Sequence, residues 1–91
     1  MLEVTDSALE LLKDTRTQVE APEEAGARLH SVTTDEGDTV RVDFAEEPQE
    51  GDQIIEEPGL RVFVSSELVE PLNERTLDAT VTASGRRLAI R

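Results

Sequence analysis

Apolar positions along this chain follow one helical period and then mostly strand periods. Leu2 to Val4 is a short strand candidate. Thr5 follows as a helix N-cap. Asp6 stands in the first turn, where the positive end of a helix dipole favours a carboxylate. Ala8, Leu11, Leu12, Thr15 and Val19 then recur at the spacing of one helical face. The pattern predicts a helix over Asp6 to Val19. Glu20 to Gly26, with Pro22 inside it, ends that helix and forms a loop.

The remainder reads mainly as strands. Ala27 to Thr33 is the first, and Asp35-Glu36-Gly37-Asp38 is a turn. Val40, Val42 and Phe44 alternate with Arg41 and Asp43, as in a strand with one buried and one wet face. The two runs around the turn predict a hairpin. Glu46 to Asp52 is a polar connection carrying Pro48 and Gly51. Gln53 to Glu56 is a short strand with Ile54 and Ile55, and Pro58-Gly59 is a turn. Leu60 to Val64 is nearly all apolar, which predicts burial on both faces. Ser65 or Ser66 caps a short helix over Glu67 to Leu72, limited by Pro71. Leu77, Ala79, Val81 and Ala83 alternate with polar residues, Ser84-Gly85 turns the chain, and Leu88 and Ile90 sit in a last strand. The predicted order is β-α-β-β-β-β-α-β-β, within one domain spanning residues 1–91.

Composition narrows the chemistry. The chain has 91 residues, 21 acidic against 9 basic, and a formal net charge of −12. It has no cysteine, tryptophan or tyrosine. That excludes a disulfide, a thiolate nucleophile, a zinc finger and a cysteine-held iron–sulfur cluster on this chain. Phosphate backbones attract clusters of Lys and Arg, and the only lysine is Lys13. Nucleic acid and anionic membrane are therefore excluded as expected partners. At ~0.01 M salt the Debye length is about 30 Å, so the acidic residues repel one another across the whole body. Salt is expected to stabilise the fold, as suits a host with a salty cytoplasm, although other acidic proteins share the pattern. Met1-Leu2-Glu3-Val4 lacks the basic and apolar regions of a signal peptide, and no apolar run is long enough to span a membrane. The expected location is the cytoplasm.

Several stretches taken together resemble the HesB/IscA-like family, the A-type iron–sulfur carriers. Val4-Thr5-Asp6-Ser7-Ala8 is similar to the family's opening. Ala27-Arg28-Leu29 sits where the family has a Gly-Leu-Arg-Leu strand. Glu46-Glu47-Pro48-Gln49-Glu50-Gly51-Asp52 looks like its acidic, Pro-containing loop. Gly59-Leu60-Arg61-Val62-Phe63-Val64 matches its Gly-Val-Lys-Val-Val-Val run, and Ser66-Glu67-Leu68 matches the helix after it. Leu72 and Leu77-Asp78 match the apolar anchors and acid around the next turn. The resemblance covers nearly the whole chain. It implies an α+β fold, mostly β: a compact, twisted, barrel-like sandwich with two helices.

The resemblance also exposes a departure. The family holds its cluster or iron with three cysteines, one in a Gly-Cys-Ser-Gly-type loop and two in a C-terminal Cys-Gly-Cys. Here the first loop reads Thr34-Asp35-Glu36-Gly37-Asp38, and Arg91 ends the given chain before the second pair is reached. None of the family's ligands carries over, and no cofactor is expected.

Four groups remain as candidate sites. Asp35, Glu36 and Asp38 place three carboxylates within four residues, and hard cations prefer oxygen ligands. The spacing is not that of an EF-hand, and the simpler reading is a solvated turn with Gly37 at positive φ. The alternative is weak iron or divalent-cation binding at that loop. His30 alternates with Arg28 and Val32 on one strand face and is read as a structural or surface residue, since no base partner is evident. Glu46, Glu47, Glu50, Asp52, Glu56 and Glu57 are read as solvated charge, because neighbouring strand residues face opposite ways. Arg86, Arg87 and Arg91 gather positive charge at the C-terminus. They are read as pairing locally with acids, or as marking a pairable edge strand. No nucleophile–base pair and no phosphate loop is present, so the chain is not read as an enzyme. The reading is a non-catalytic HesB-like domain of unknown specific role that acts through protein contacts or self-association, linked to iron–sulfur assembly, with no small-molecule substrate.

Overall fold

In the computed structural model, which describes Met1–Arg91, seven strands and two helices follow the predicted order. They are β1 (Glu3–Val4), α1 (Asp6–Gln18), β2 (Gly26–Thr34), β3 (Gly37–Ala45), β4 (Gln53–Glu57), β5 (Leu60–Val64), α2 (Ser66–Val69), β6 (Thr76–Thr82) and β7 (Gly85–Ile90). The strands form two mixed sheets. One has the order β1-β6-β7 and the other β3-β2-β5-β4. The radius of gyration is 12.6 Å, against the about 12 Å anticipated for a chain of this length.

Local chemistry explains the boundaries. The Thr5 hydroxyl accepts from the Ala8 amide at 3.1 Å, capping α1, and donates to Asp78 Oδ1 at 2.7 Å. One threonine thereby starts the helix and ties it to β6. Both tight hairpins share one construction. Thr34 donates through its hydroxyl to the Gly37 carbonyl and accepts from the Glu36 amide. Thr82 does the same with Gly85 and Ser84. Gly37 and Gly85 take φ of 111° and 118°, which a side chain would oppose. The predicted turn at Asp35–Asp38 is therefore tighter than expected. Only Asp35 and Glu36 connect the strands, and Asp38 already pairs with Thr33 in the ladder.

The main core lies between the sheets and α1. It is built from Leu2, Ala8, Leu9, Leu12, Ala27, Leu29, Ile55, Leu60, Val62, Val64, Leu68, Leu72 and Leu77. Strand β5 is central to its sheet and buried at every position except the half-buried Arg61, as its apolar run predicts. Phe63 lies on the opposite face of that sheet, fully buried, under the Arg61 guanidinium 5.2 Å from its ring centroid. Gly26 lets this ring approach: a Cβ at position 26 would stand 2.7 Å from Phe63 Cε2 and 2.8 Å from the Arg61 carbonyl oxygen.

Several predicted core positions are corrected. Val19 is 58% exposed, Ile54 46% and Val81 85%, while Leu9, outside the predicted stripe, is buried. Val19 lies beyond the end of α1 at Gln18, and Val81 sits on the part of the β6–β7 hairpin that runs past the body that would cover it. Helix α2 is a single turn, Ser66–Val69, shorter than the predicted Glu67 to Leu72. Ser65 occupies its N-cap position, yet its hydroxyl makes no cap bond and is buried without a partner. No helix is long and apolar enough to cross a membrane.

Candidate functional site

The β2–β3 hairpin positions most of the candidate chemistry. On its inner face Ala27 and Leu29 are fully buried, but the same face continues outward as Ser31 and Thr33. Across from these lie Val42, Val40 and Asp38 in register with Leu29, Ser31 and Thr33. The hairpin therefore leaves the core as it goes, and its inner face changes from apolar to polar.

Asp38 accepts from the Thr33 hydroxyl at 2.9 Å. Asp35 and Glu36 stand at the hairpin tip. These three carboxylates do not converge: no group of three or more His, Cys, Asp or Glu side chains in the chain is arranged to hold a metal ion. His30 lies on the outer face, with Nε2 2.5 Å from Asp43 Oδ2, a diagonal cross-strand pair.

Asp52 corrects the reading of the acidic loop as uniformly solvated. Its side chain is 1% exposed. It receives a two-point bond from Arg28, Nε to Oδ2 at 2.9 Å and a terminal nitrogen to Oδ1 at 3.0 Å. The Gln49 amide adds a third at 2.9 Å. The Arg28 bond, followed by the Gln49 amide, holds the Asp52 carboxyl below the usual carboxylate range, against the opposing cost of burial. The same pair raises Arg28. Sequence reasoning missed it because partners 24 residues apart meet only when the Pro48–Asp52 turn folds back over β2. Glu46, Glu47, Glu50 and Glu56 are exposed, or half-covered in the cases of Pro48 and Glu57 beside them.

The C-terminal arginines separate. Arg86 pairs with Asp14 at 2.6 Å and Arg91 with Asp78 at 2.9 Å, while Arg87 forms no ion pair. Asp78 is held below its usual range, first by the Thr5 hydroxyl and then by the Ala79 amide. Glu67, at the start of α2, is also lowered, first by its own backbone N–H, with the Ser31 amide contributing.

What the sequence did not disclose is the seam between the sheets. β3 ends one sheet and β7 the other, and neither has a strand on its outer side. Between them runs an open groove of about 710 Å³, walled by Val40, Val42, Leu68, Leu88 and Ile90, with Asp38 and Glu67 among its lining. A second depression of about 460 Å³ continues it past Val40 and Leu88 to Arg41, Arg86 and Arg87, with Leu11 and Thr15 of α1 beside it.

Comparison with known proteins places this geometry. No protein-family model matches the chain, and no curated protein sequence matches it. Solved structures do. A crystal structure of IscA with a [2Fe-2S] cluster superposes with a TM-score of 0.76 at 16% identity, covering 100% of this chain and 81% of that one. SufA of Escherichia coli, involved in biosynthesis of iron–sulfur clusters, gives 0.79 at 19% identity, covering 99% and 83%. A protein from Aquifex aeolicus solved by NMR in solution gives 0.76 at 26% identity, covering 99% and 89%. The end-to-end match explains why the short resemblances above fall in the right order along the chain. This chain has the HesB/IscA-like fold and carries no cysteine within it.

Proposed function

We propose that this domain serves iron–sulfur cluster assembly by binding other proteins, in the cytoplasm, and neither catalyses a reaction nor carries a cluster on its own side chains. The observation that supports this most is the pairing of an IscA-like backbone, matched from end to end, with a chain devoid of thiolates. Sulfide-bridged iron is held by soft ligands, and the carboxylates at the hairpin tip are hard ones. The competing reading is weak cation binding through Asp35, Glu36 and Asp38, and it lacks support from any group of three or more such side chains placed to hold a metal ion.

Native mass spectrometry under anaerobic conditions separates the two. The protein is mixed with ferrous iron and sulfide and sprayed intact. The expected spectrum is unchanged by iron. A stoichiometric adduct that disappears when Asp35 and Asp38 become Asn and Glu36 becomes Gln would overturn the proposal in favour of the cation reading. The contact half is read by cross-linking in the host at physiological salt. Cluster-assembly proteins should be recovered above background, and recovery of none refutes it.

A further inference from the structure

We propose that the seam between β3 and β7 receives one extended segment of a partner protein, which adds as a β-strand between the two open edges. The inference rests on the contact reading above and names the surface and the kind of ligand it takes.

The backbone phase carries the first part. Thr76 and Arg91 exchange both amide–carbonyl bonds. Hydrogen-bonded pairs alternate along an antiparallel ladder, so Asp78–Ala89 and Thr80–Arg87 are bonded too. The N–H and C=O groups of Leu88 and Ile90 therefore point away from β6, into the seam. On the other side, the Leu29 carbonyl accepts from the Ser65 amide, so Leu29 directs its backbone away from β3. Its partner Val42 is then a non-bonded position, and so is Val40. Their backbone groups also face outward. Two rows of unused donors and acceptors thus border one groove, whose walls are the half-buried side chains of these same four residues. A free edge with this geometry is a template for another strand, and side chains at every second position of that strand would enter the apolar groove.

Charge decides the occupant. A second copy of this chain brings another −12 and is repelled at low salt. The groove itself is polarised along its length. Asp38 and Glu67 stand near Ile90 at one end. Arg41 and Arg87, neither in an ion pair, stand with Arg86 near Val42 at the other. The segment that fits is apolar at alternate positions, basic at one end and acidic at the other, from a protein that is not itself strongly acidic.

The test uses the whole protein and a synthetic nine-residue probe, Lys-Lys-Val-Thr-Val-Thr-Val-Glu-Glu. Binding is followed by amide NMR and hydrogen exchange. The expected result is saturable binding that slows exchange at the amides of Val40, Val42, Leu88 and Ile90. The amides of Arg41 and Arg87, already bonded within the sheets, should not change. A probe with Glu at both ends should bind at least tenfold more weakly, and one with Pro at its centre should not bind. Leu88→Pro removes one outward N–H without touching the ladder and should weaken the first probe at least tenfold. Should Leu88→Pro fail to fold, the pair Asp38→Lys with Glu67→Lys, both exposed, should abolish the preference for the Lys-bearing probe. No binding, or binding without protection of those four amides, overturns the proposal. So does a dimer of this chain that protects them unaided, or an apolar dye that fills the groove while the probe does not. None of these outcomes bears on the cross-linking of the whole protein, which recovers partners through whichever surface they use, so failure here is distinct from failure of the contact reading.

Discussion

Removing the Asp52 carboxylate is the sharpest test of how this acidic chain holds its loops. In Asp52→Ala the Arg28 guanidinium, 16% exposed, keeps its charge and loses both bonds, and the Gln49 amide loses its acceptor. Breaking a fully buried ion pair costs about 3–5 kcal/mol, whereas an exposed pair is worth about 0–1 kcal/mol. The carboxylate is buried and the guanidinium nearly so, which places the loss at about 3 kcal/mol. Against a stability of about 5–15 kcal/mol for a domain, that is a large fraction. The urea midpoint should fall by about 3 M, taking a slope of about 1 kcal/mol per M for so small a domain. The melting temperature should fall by about 12–24 °C. Glu50→Ala, in the same loop but exposed, is the control and should change stability by under about 0.5 kcal/mol. In the double variant Arg28→Met, Asp52→Leu, the loss should be smaller than the sum of the single losses, since neither charge is left alone. The pH dependence has a definite sign. Asp52 has a lowered carboxyl in the folded state. Its contribution is complete above the unfolded value of about 3.9 and is lost as pH falls through that value toward the lower folded one. Asp52→Ala should therefore flatten the acid limb of the stability curve. If it behaves like Glu50→Ala in urea and retains that limb, the pair is not holding the loop.

Two further outcomes follow from other parts of the molecule. Gly26→Ala places a methyl group 2.7 Å from the Phe63 ring and 2.8 Å from the backbone of β5. Thermal melts should show a loss of about 1–3 kcal/mol, and an unchanged melting temperature would mean that ring and strand shift freely. The net charge of −12 is spread over a body 32 Å in its longest dimension, close to the ~30 Å Debye length at 10 mM salt. Raising sodium chloride from 10 mM to 1 M should raise the melting temperature of the wild-type protein. A flat or falling response would show that local pairs such as Arg86–Asp14 already compensate the repulsion.

Much of the fold was legible because it is local. Thr5 before Asp6 and Ala8 signals a capped helix wherever the chain goes, since the cap bond spans only three residues. The alternation of Val40, Val42 and Phe44, and the run Leu60 to Val64, apolar except at Arg61, distinguish a half-buried edge strand from a central one by what each face meets. Thr34 and Gly37, like Thr82 and Gly85, close their turns through bonds among four consecutive residues. The absence of cysteine is likewise a property of the sequence alone, and it separates this chain from thiolate-held clusters without any coordinates.

The tertiary structure decided whatever depends on distant parts meeting. Periodicity says which side of a strand is apolar but not how far the body beneath it extends, so Val81 kept the right phase and was left in solvent. Composition made Asp52 one acid among 21, and only the fold-back of its loop onto Arg28 buried it. The seam between β3 and β7 belongs to no segment. Strand pairing uses up backbone groups within each sheet, and which edges are left over, and that two of them border one groove, is settled only when the sheets pack against each other.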